Sequence, residues 1–162
     1  MPSTPNWKNL QKLRDRIASQ RDTKSKKFMM REFIQILSGK RAGELVSVGE
    51  LRRNGPDCGS ACCLAGETVI AFAPVATTFR VFNLGAYFIA GLVLRGGRIS
   101  TLAQRLLGLN NEEANWMFSG RWAVDGSGYT IYIDTIKRRH AIRYLDEAIK
   151  ERDVMVRVKC LG

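Results

Sequence analysis

A cluster of cysteines and small residues in the first half of the chain is the first candidate for covalent chemistry. Residues 57–66 read DCGSACCLAG. If Asp57 caps a helix here, Cys58 lies at the helix N-terminus, where the helix dipole stabilises a thiolate. A nucleophilic thiol also needs a base, and His140 is the only histidine of the chain. Cys58 and His140 therefore define one hypothesis, a cysteine hydrolase.

This string resembles the nucleophile segment of papain-like and bacteriocin-processing cysteine peptidases, in which a cysteine opens a helix after a Cys-Gly-type turn. The resemblance implies a histidine on a strand, followed by an Asn or Asp partner. His140 instead lies between Ile136 and Tyr144 on the apolar side of the predicted last helix, which favours a histidine at the edge of the core. We therefore expect buried, structural cysteines and a protein that is not an enzyme, with the hydrolase as the alternative.

A zinc site is a second interpretation of the same residues. Cys58 and Cys62 are four residues apart on one helix face, and Cys160 or His140 could complete a tetrahedral set. The chain has no CxxC or HxxxH pair, and no glycine-rich phosphate loop followed by Lys-Ser/Thr. We expect no metal and no small-molecule cofactor.

Basic residues are the second feature that could do chemistry, through binding. The chain of 162 residues has 26 Lys and Arg against 15 Asp and Glu, a net charge of +11. Residues 1–41 hold 11 basic and three acidic residues, so most of the excess is N-terminal. The candidate binding residues are Lys8, Lys12 and Arg16 on one ridge of the first helix, then Arg21, Lys24, Lys26 and Lys27, and Arg139 and Arg143 on the last helix.

Like charges four residues apart destabilise an isolated helix by about 0.2–0.5 kcal/mol per pair. Such a ridge is easier to explain if an anion occupies it. The leading interpretation is contact with the phosphate backbone of a nucleic acid or of a host nucleoprotein. A solvated face and a surface for an acidic protein stay open as alternatives.

Helical periodicity predicts the elements that position these residues. Trp7, Leu10, Leu13 and Ile17 predict an N-terminal helix, and we assign residues 1–27 to a basic helix and linker and residues 28–162 to a helical core domain. Further helices are expected from Phe28 to Leu37, from Asp57 and over residues 131–152. Alternation over residues 154–160 predicts a short C-terminal strand. The class is mainly α, a compact helical domain that allows one further small β element.

Residues 102–114, LAQRLLGLNNEEA, invite comparison with a helix-turn-helix. Ala103 precedes Gly108 by five residues instead of the usual four, and the would-be recognition helix begins Asn111-Glu112-Glu113, whose carboxylates would repel phosphate. We expect a helical hairpin that serves the core.

The expected cellular compartment is inferred from two features that the sequence does not show, a signal peptide and a membrane-spanning segment. The N-terminus has no apolar core of a signal peptide, and the uncharged run of residues 81–94 is shorter than the roughly 18–20 residues that a span requires. We expect a cytoplasmic protein with no membrane partner.

Three segments together resemble a family of small uncharacterised proteins from phages and bacterial genomes. They are Phe28-Met29-Met30, the Cys58–Gly66 string, and Ala103–Leu109 followed by Glu113-Ala114 and Phe118. Members carry a Cys-Gly-Thr-x-x-Cys-x-x-Gly helix start, a Leu-Leu-Gly-Leu hairpin and a closing helix. The resemblance implies a phage or mobile-element accessory protein, for instance one that inhibits a host defence complex.

Overall fold

The fold is mainly α, as the sequence predicts. The computed structural model describes residues 4–21, 28, 30, 34–36, 43–53, 60–84, 87–93 and 99–160. Within these ranges six α-helices are present: α1 (Trp7–Ser19), α2 (Val48–Arg53), α3 (Leu64–Phe72), α4 (Ile99–Leu107), α5 (Asn111–Ser119) and α6 (Arg138–Glu151). Strands occupy shorter segments between and after them.

Among the described residues, five strands form one antiparallel sheet: β1 (Ile34–Ile36), β2 (Leu45–Ser47), β3 (Ser60–Cys62), β4 (Thr78–Leu84) and β5 (Tyr87–Val93). Their order across the sheet is β2-β4-β5-β1-β3. The β4–β5 hairpin occupies most of the uncharged segment that follows α3. Among the described residues, no helix is long and apolar enough to cross a membrane. The sheet is larger than the one small β element that the sequence allowed.

The predicted helix from Asp57 is wrong for residues 60–62. These residues form β3, which pairs with β1, and α3 begins only at Leu64, after an extended Cys63 whose carbonyl accepts from the Glu67 N–H at 2.9 Å. A segment of three residues has only a weak conformational preference of its own, so pairing with a neighbouring strand decides its conformation. For the same reason the predicted helix over residues 28–37 is wrong at β1.

The last helix is shorter than residues 131–152. Helix α6 begins at Arg138, and only a single 3₁₀ turn (Ile133–Thr135) precedes it. The N–H of Ile131 instead donates to the carbonyl of Ala123 at 3.0 Å. That carbonyl belongs to β6 (Ala123–Val124), which pairs in parallel with β7 (Val158–Lys159). The predicted C-terminal strand is therefore confirmed, although it is limited to two residues.

Two side chains occupy backbone carbonyls of the residues that precede β7, so the strand does not extend further toward the N-terminus. The Tyr144 hydroxyl donates to the Val154 carbonyl at 2.7 Å, and the Trp116 indole N–H donates to the Val156 carbonyl at 3.1 Å. Both carbonyls are thereby satisfied without a neighbouring strand.

In the part of the chain that the structure describes, buried side chains form two clusters. One joins α1, α5, α6, β6 and β7, with the indole of Trp122 stacked on the ring of Tyr144 at a centroid distance of 4.5 Å. The other joins β2, α2, α3, α4 and the start of β4, around Phe79 and Val69. The basic helix α1 contributes Leu10, Leu13 and Ile17 to the first cluster, so it is anchored on the core.

Candidate nucleic-acid interface

Helices α1 and α6, which carry the predicted basic residues, pack side by side and antiparallel. At one end, Arg138 at the start of α6 donates to the Ile17 carbonyl near the end of α1, at 3.2 Å. In the middle, Arg14 forms an ion pair with Asp146 at 2.6 Å. At the other end, the Arg152 guanidinium lies over the Trp7 ring at 5.3 Å. The structure thus brings the two sets of basic residues onto adjacent helices.

Four of the predicted binding residues face away from the core on this pair of helices. Lys8 and Lys12 are exposed on the side of α1 opposite Leu10 and Leu13, and Arg139 and Arg143 are exposed on α6. We call Lys8, Lys12, Arg139 and Arg143 the basic surface. None of the four has a carboxylate partner among the described residues, because the nearby acids are already paired: Asp15 and Asp146 with Arg14, and Glu147 and Glu151 with Lys150.

The basic surface is elongated. Because the helices are antiparallel and Arg14 meets Asp146, Arg139 and Lys8 lie on opposite sides of that ion pair along the helix axes. A rise of 1.5 Å per residue puts them about 20 Å apart in that direction. This distance corresponds to roughly six base-pair steps of duplex at 3.4 Å each. The surface therefore has the length to contact several successive phosphates.

Arg16 has a different role from its two ridge neighbours. Its Nε donates to Oε2 of Glu67 at 2.9 Å, and the same oxygen accepts from the Gln20 side-chain amide at 3.1 Å. Glu67 is only 2% exposed, so Arg16 neutralises a buried carboxylate of α3 and joins α1 to it. Arg21 is exposed beyond the end of α1. Lys24, Lys26 and Lys27 lie outside the described residues.

Arg143 is held against the C-terminal strand. Its Nη1 donates to the Lys159 carbonyl at 2.9 Å, which places the exposed Lys159 side chain next to the basic surface. Sequence reasoning did not select Lys159, because the alternating pattern of residues 154–160 only marked it as an outward strand position. Lys159 adds a fifth positive charge to the four of the basic surface.

His140 is a buried helix residue, 5% exposed, as expected for a histidine at the edge of the core. Its Nδ1 accepts from the Lys137 N–H at 3.1 Å and so caps the first turn of α6. Burial lowers the pKa of His140 from its ordinary 6.5, and the charges of Arg139, Lys137 and Arg143 lower it further. The imidazole is therefore neutral at pH 7 and its Nδ1 is occupied in holding the helix.

His140 is expected to make stability depend on pH in the weakly acidic range. The folded protein binds the imidazole proton less readily than the unfolded chain does, so the free energy of unfolding should fall as pH drops below about 6.5. In His140→Gln, the glutamine keeps a capping acceptor but does not titrate. In thermal melts, the melting temperature of the wild type should fall more between pH 7.5 and pH 5.5 than that of His140→Gln. Equal losses would contradict this role, because the chain has no other histidine.

The two cysteines whose side chains the structure describes do not have the properties of nucleophiles. Cys63 precedes α3, but burial raises the pKa of its thiol to about 12. Burial also raises the pKa of Cys160. Within the ranges that the structure describes, no three His, Cys, Asp or Glu side chains lie together as a metal site. Cys58, the predicted nucleophile of the alternative hypothesis, lies outside these ranges.

The hairpin of α4 and α5 serves the core. Ala103 and Leu107 of α4 and Met117 of α5 are buried. Glu113 completes a capping box, in which its side chain accepts from the Asn110 N–H at 2.8 Å. An open cleft of about 340 Å³ separates the helices, but the Gln104 amide that lines it is bonded to Asn111 Oδ1 at 2.8 Å. Its geometry gives no reason to place phosphate here.

Two exposed tyrosines near the basic surface were missed by sequence reasoning. Tyr129 is 75% exposed and Tyr132 is 81% exposed, on the segment that leads from β6 to α6. The sequence signal was the turn string DGSG followed by Tyr-Thr-Ile-Tyr at residues 125–132. Such residues after a tight turn indicate a hairpin, whereas the helix predicted over residues 131–152 included Tyr132.

Comparison of the chain with protein-family models, with curated proteins and with solved structures finds no match. The geometry and charge of the residues themselves therefore have to indicate the function.

Proposed function

We propose that the protein is a nucleic-acid-binding protein without catalytic activity, and that the basic surface of α1 and α6 contacts the phosphate backbone. The observation that carries this proposal is the presence of four exposed cationic side chains with no carboxylate partner among the described residues, on two helices whose own acids are already paired. Uncompensated positive charge attracts polyanions through release of their counterions.

Two features favour a binding surface over a merely solvated face. The basic residues lie on helices that the core holds in place, since Leu13 of α1 and Leu145 of α6 are fully buried. The Arg143 guanidinium is also fixed by its bond to the Lys159 carbonyl. Positions fixed before binding reduce the entropy that association costs.

Charge reversal on the basic surface tests the proposal. Lys8→Glu with Lys12→Glu, and separately Arg139→Glu with Arg143→Glu, should each weaken binding to mixed-sequence DNA or RNA about tenfold or more at low salt. Each pair should also reduce the slope of log affinity against log salt by about 2, because two phosphate contacts are lost. Fluorescence anisotropy over a series of salt concentrations measures both quantities.

Arg53→Glu with Arg80→Glu is the matched control. Both arginines are exposed, they lie on α2 and β4, and the change in net charge is the same. An equal loss of affinity in this control would show that net charge alone drives binding. Wild-type affinity that does not change between low and moderate salt would overturn the proposal.

The identity of the natural target is a further part of this proposal. The sequence resemblance to small phage and bacterial proteins suggests a host nucleoprotein, such as a defence complex, whose nucleic-acid-lined surface this chain would occupy. The ratio of absorbance at 260 and 280 nm in protein purified from its host provides a direct test for bound nucleic acid.

A further inference from the structure

Tyr129, the first of the two exposed tyrosines, ends a hydrogen-bonded turn, and Tyr132 follows three residues later, just before the 3₁₀ turn. Asp125 Oδ1 accepts from the Ser127 N–H and the Ser127 hydroxyl, each at 2.8 Å, and from the Tyr129 N–H at 3.1 Å. The Asp125 N–H in turn donates to the Tyr129 carbonyl at 2.8 Å. An isolated exposed aromatic needs no explanation, but here two lie three residues apart, and the backbone of the first is fixed by its turn, which lowers the entropy cost of binding at this position.

The turn lies beside the end of the basic surface that contains Arg143. Val124 of β6 bridges Thr130 on one side and pairs with Lys159 of β7 on the other. Because neighbouring strands are about 4.8 Å apart, Thr130 and Lys159 are about 10 Å apart across β6. Lys159 is joined to Arg143 through its carbonyl. A sheet edge with exposed rings is thus continuous with the arginines of α6.

The acids at this edge are few, and one of them is bonded within its own turn. The Asp125 carboxylate is engaged by the three donors of its own turn, of which the Ser127 hydroxyl most lowers its pKa. Asp134 follows on the 3₁₀ turn before α6. Against these stand Lys137, Arg139, Arg143 and Lys159, all exposed.

We infer that this edge binds single-stranded nucleic acid, with bases stacked on Tyr129 and Tyr132 and phosphates on Arg139, Arg143 and Lys159. The inference depends on the proposed function and adds its substrate class. Unpaired bases offer their faces to aromatic side chains, whereas the bases of a duplex are already stacked on one another. Three residues of chain allow the two tyrosines to lie up to about 10 Å apart along the backbone, which leaves room for each ring to take a different base.

Removal of both rings is the central test. Tyr129→Ala with Tyr132→Ala should weaken binding to a labelled oligothymidylate and a labelled oligouridylate about tenfold or more. Binding to a mixed-sequence duplex should change less than twofold, because the cationic residues remain. Tyr129→Phe with Tyr132→Phe keeps the rings and is expected to retain wild-type affinity for both. The rings are exposed, so the variants should keep the wild-type melting temperature, which checks folding.

The outcomes separate this inference from the proposed function. If Tyr129→Ala with Tyr132→Ala binds single strands as tightly as the wild type does, and the binding depends on salt, only the stacking inference is overturned. Absence of salt-dependent binding to single strands and duplex alike overturns both. The stacking inference is also overturned if polyglutamate displaces the labelled single strand as effectively as oligothymidylate does, because an acidic protein chain has no bases to stack.

Discussion

Arg16→Ala is expected to lower the free energy of unfolding by about 2–4 kcal/mol. The substitution leaves the Glu67 carboxylate, which is only 2% exposed, with the Gln20 amide as its remaining partner among the side chains described. Removal of one member of a buried pair costs about 3–5 kcal/mol, because an uncompensated charge stays behind. We expect a smaller value here since the Arg16 side chain is itself 32% exposed.

Urea denaturation followed by circular dichroism measures the change. Lys12→Ala is the matched control, because Lys12 lies one turn earlier on the same ridge and has no partner among the described residues; we expect a change within about 0.5 kcal/mol. Glu67→Gln combined with Arg16→Ala should recover part of the lost stability, since the neutral amide costs less to bury. If Arg16→Ala and Lys12→Ala prove equally stable, the ion pair has no structural role.

The same substitution separates a structural from a binding role for Arg16. Its charge is neutralised by Glu67, so Arg16→Ala should change nucleic-acid affinity less than twofold under conditions where the variant is folded. Lys12→Ala should reverse this pattern and weaken binding while leaving stability intact. If Arg16→Ala lowers both the stability and the nucleic-acid affinity, the basic surface also includes Arg16, the third residue of the ridge.

Trp122→Ala is expected to cost about 3–5 kcal/mol, the range for removal of a large buried aromatic side chain. Trp122 has no exposed surface, stacks on Tyr144 with an angle of 10° between the rings, and donates its indole N–H to the Met117 carbonyl at 3.0 Å. Because domains are stable by only about 5–15 kcal/mol, the loss is a large fraction of the total.

Trp122→Phe keeps the prediction testable if the alanine variant does not fold. Phenylalanine retains a ring against Tyr144 but leaves a small cavity and an unbonded Met117 carbonyl, so we expect an intermediate loss. Trp116→Phe is the matched control, since Trp116 is only partly buried and its indole bonds to the Val156 carbonyl near the surface. A loss in Trp116→Phe equal to that in Trp122→Phe would show that burial does not set the cost.

The sequence predicts helices well where one face must be apolar. Leu10, Leu13 and Ile17 recur at helical spacing, and all three are buried in α1. The capping box of Asn110 and Glu113 at the start of α5 follows an equally local pattern. These signals are local, because each depends on residues three or four positions apart.

The strands and the ion pairs were harder to predict because they depend on distant partners. Ser60–Cys62 becomes a strand only through β1, and no local pattern reveals that pairing. Arg16 resembles Lys8 and Lys12 in sequence, yet a buried glutamate 51 residues away decides its role. Tyr132 was assigned to the predicted helix over residues 131–152, which begins too early because α6 starts only at Arg138. Exposure, which singles out the two tyrosines, is a property of the folded chain.

The pairing of α1 with α6 has a consequence for synthesis of the chain. Arg14 and Asp146 are 132 residues apart. At translation rates of about 5–20 residues per second, α1 waits roughly 7–26 s for its partner to be made. During that interval Leu10, Leu13 and Ile17 lack the cover of α6, although α3 and α4, which also contact α1, are already made. The nascent chain thus exposes part of the apolar face of a cationic helix near ribosomal RNA until α6 completes the core around it.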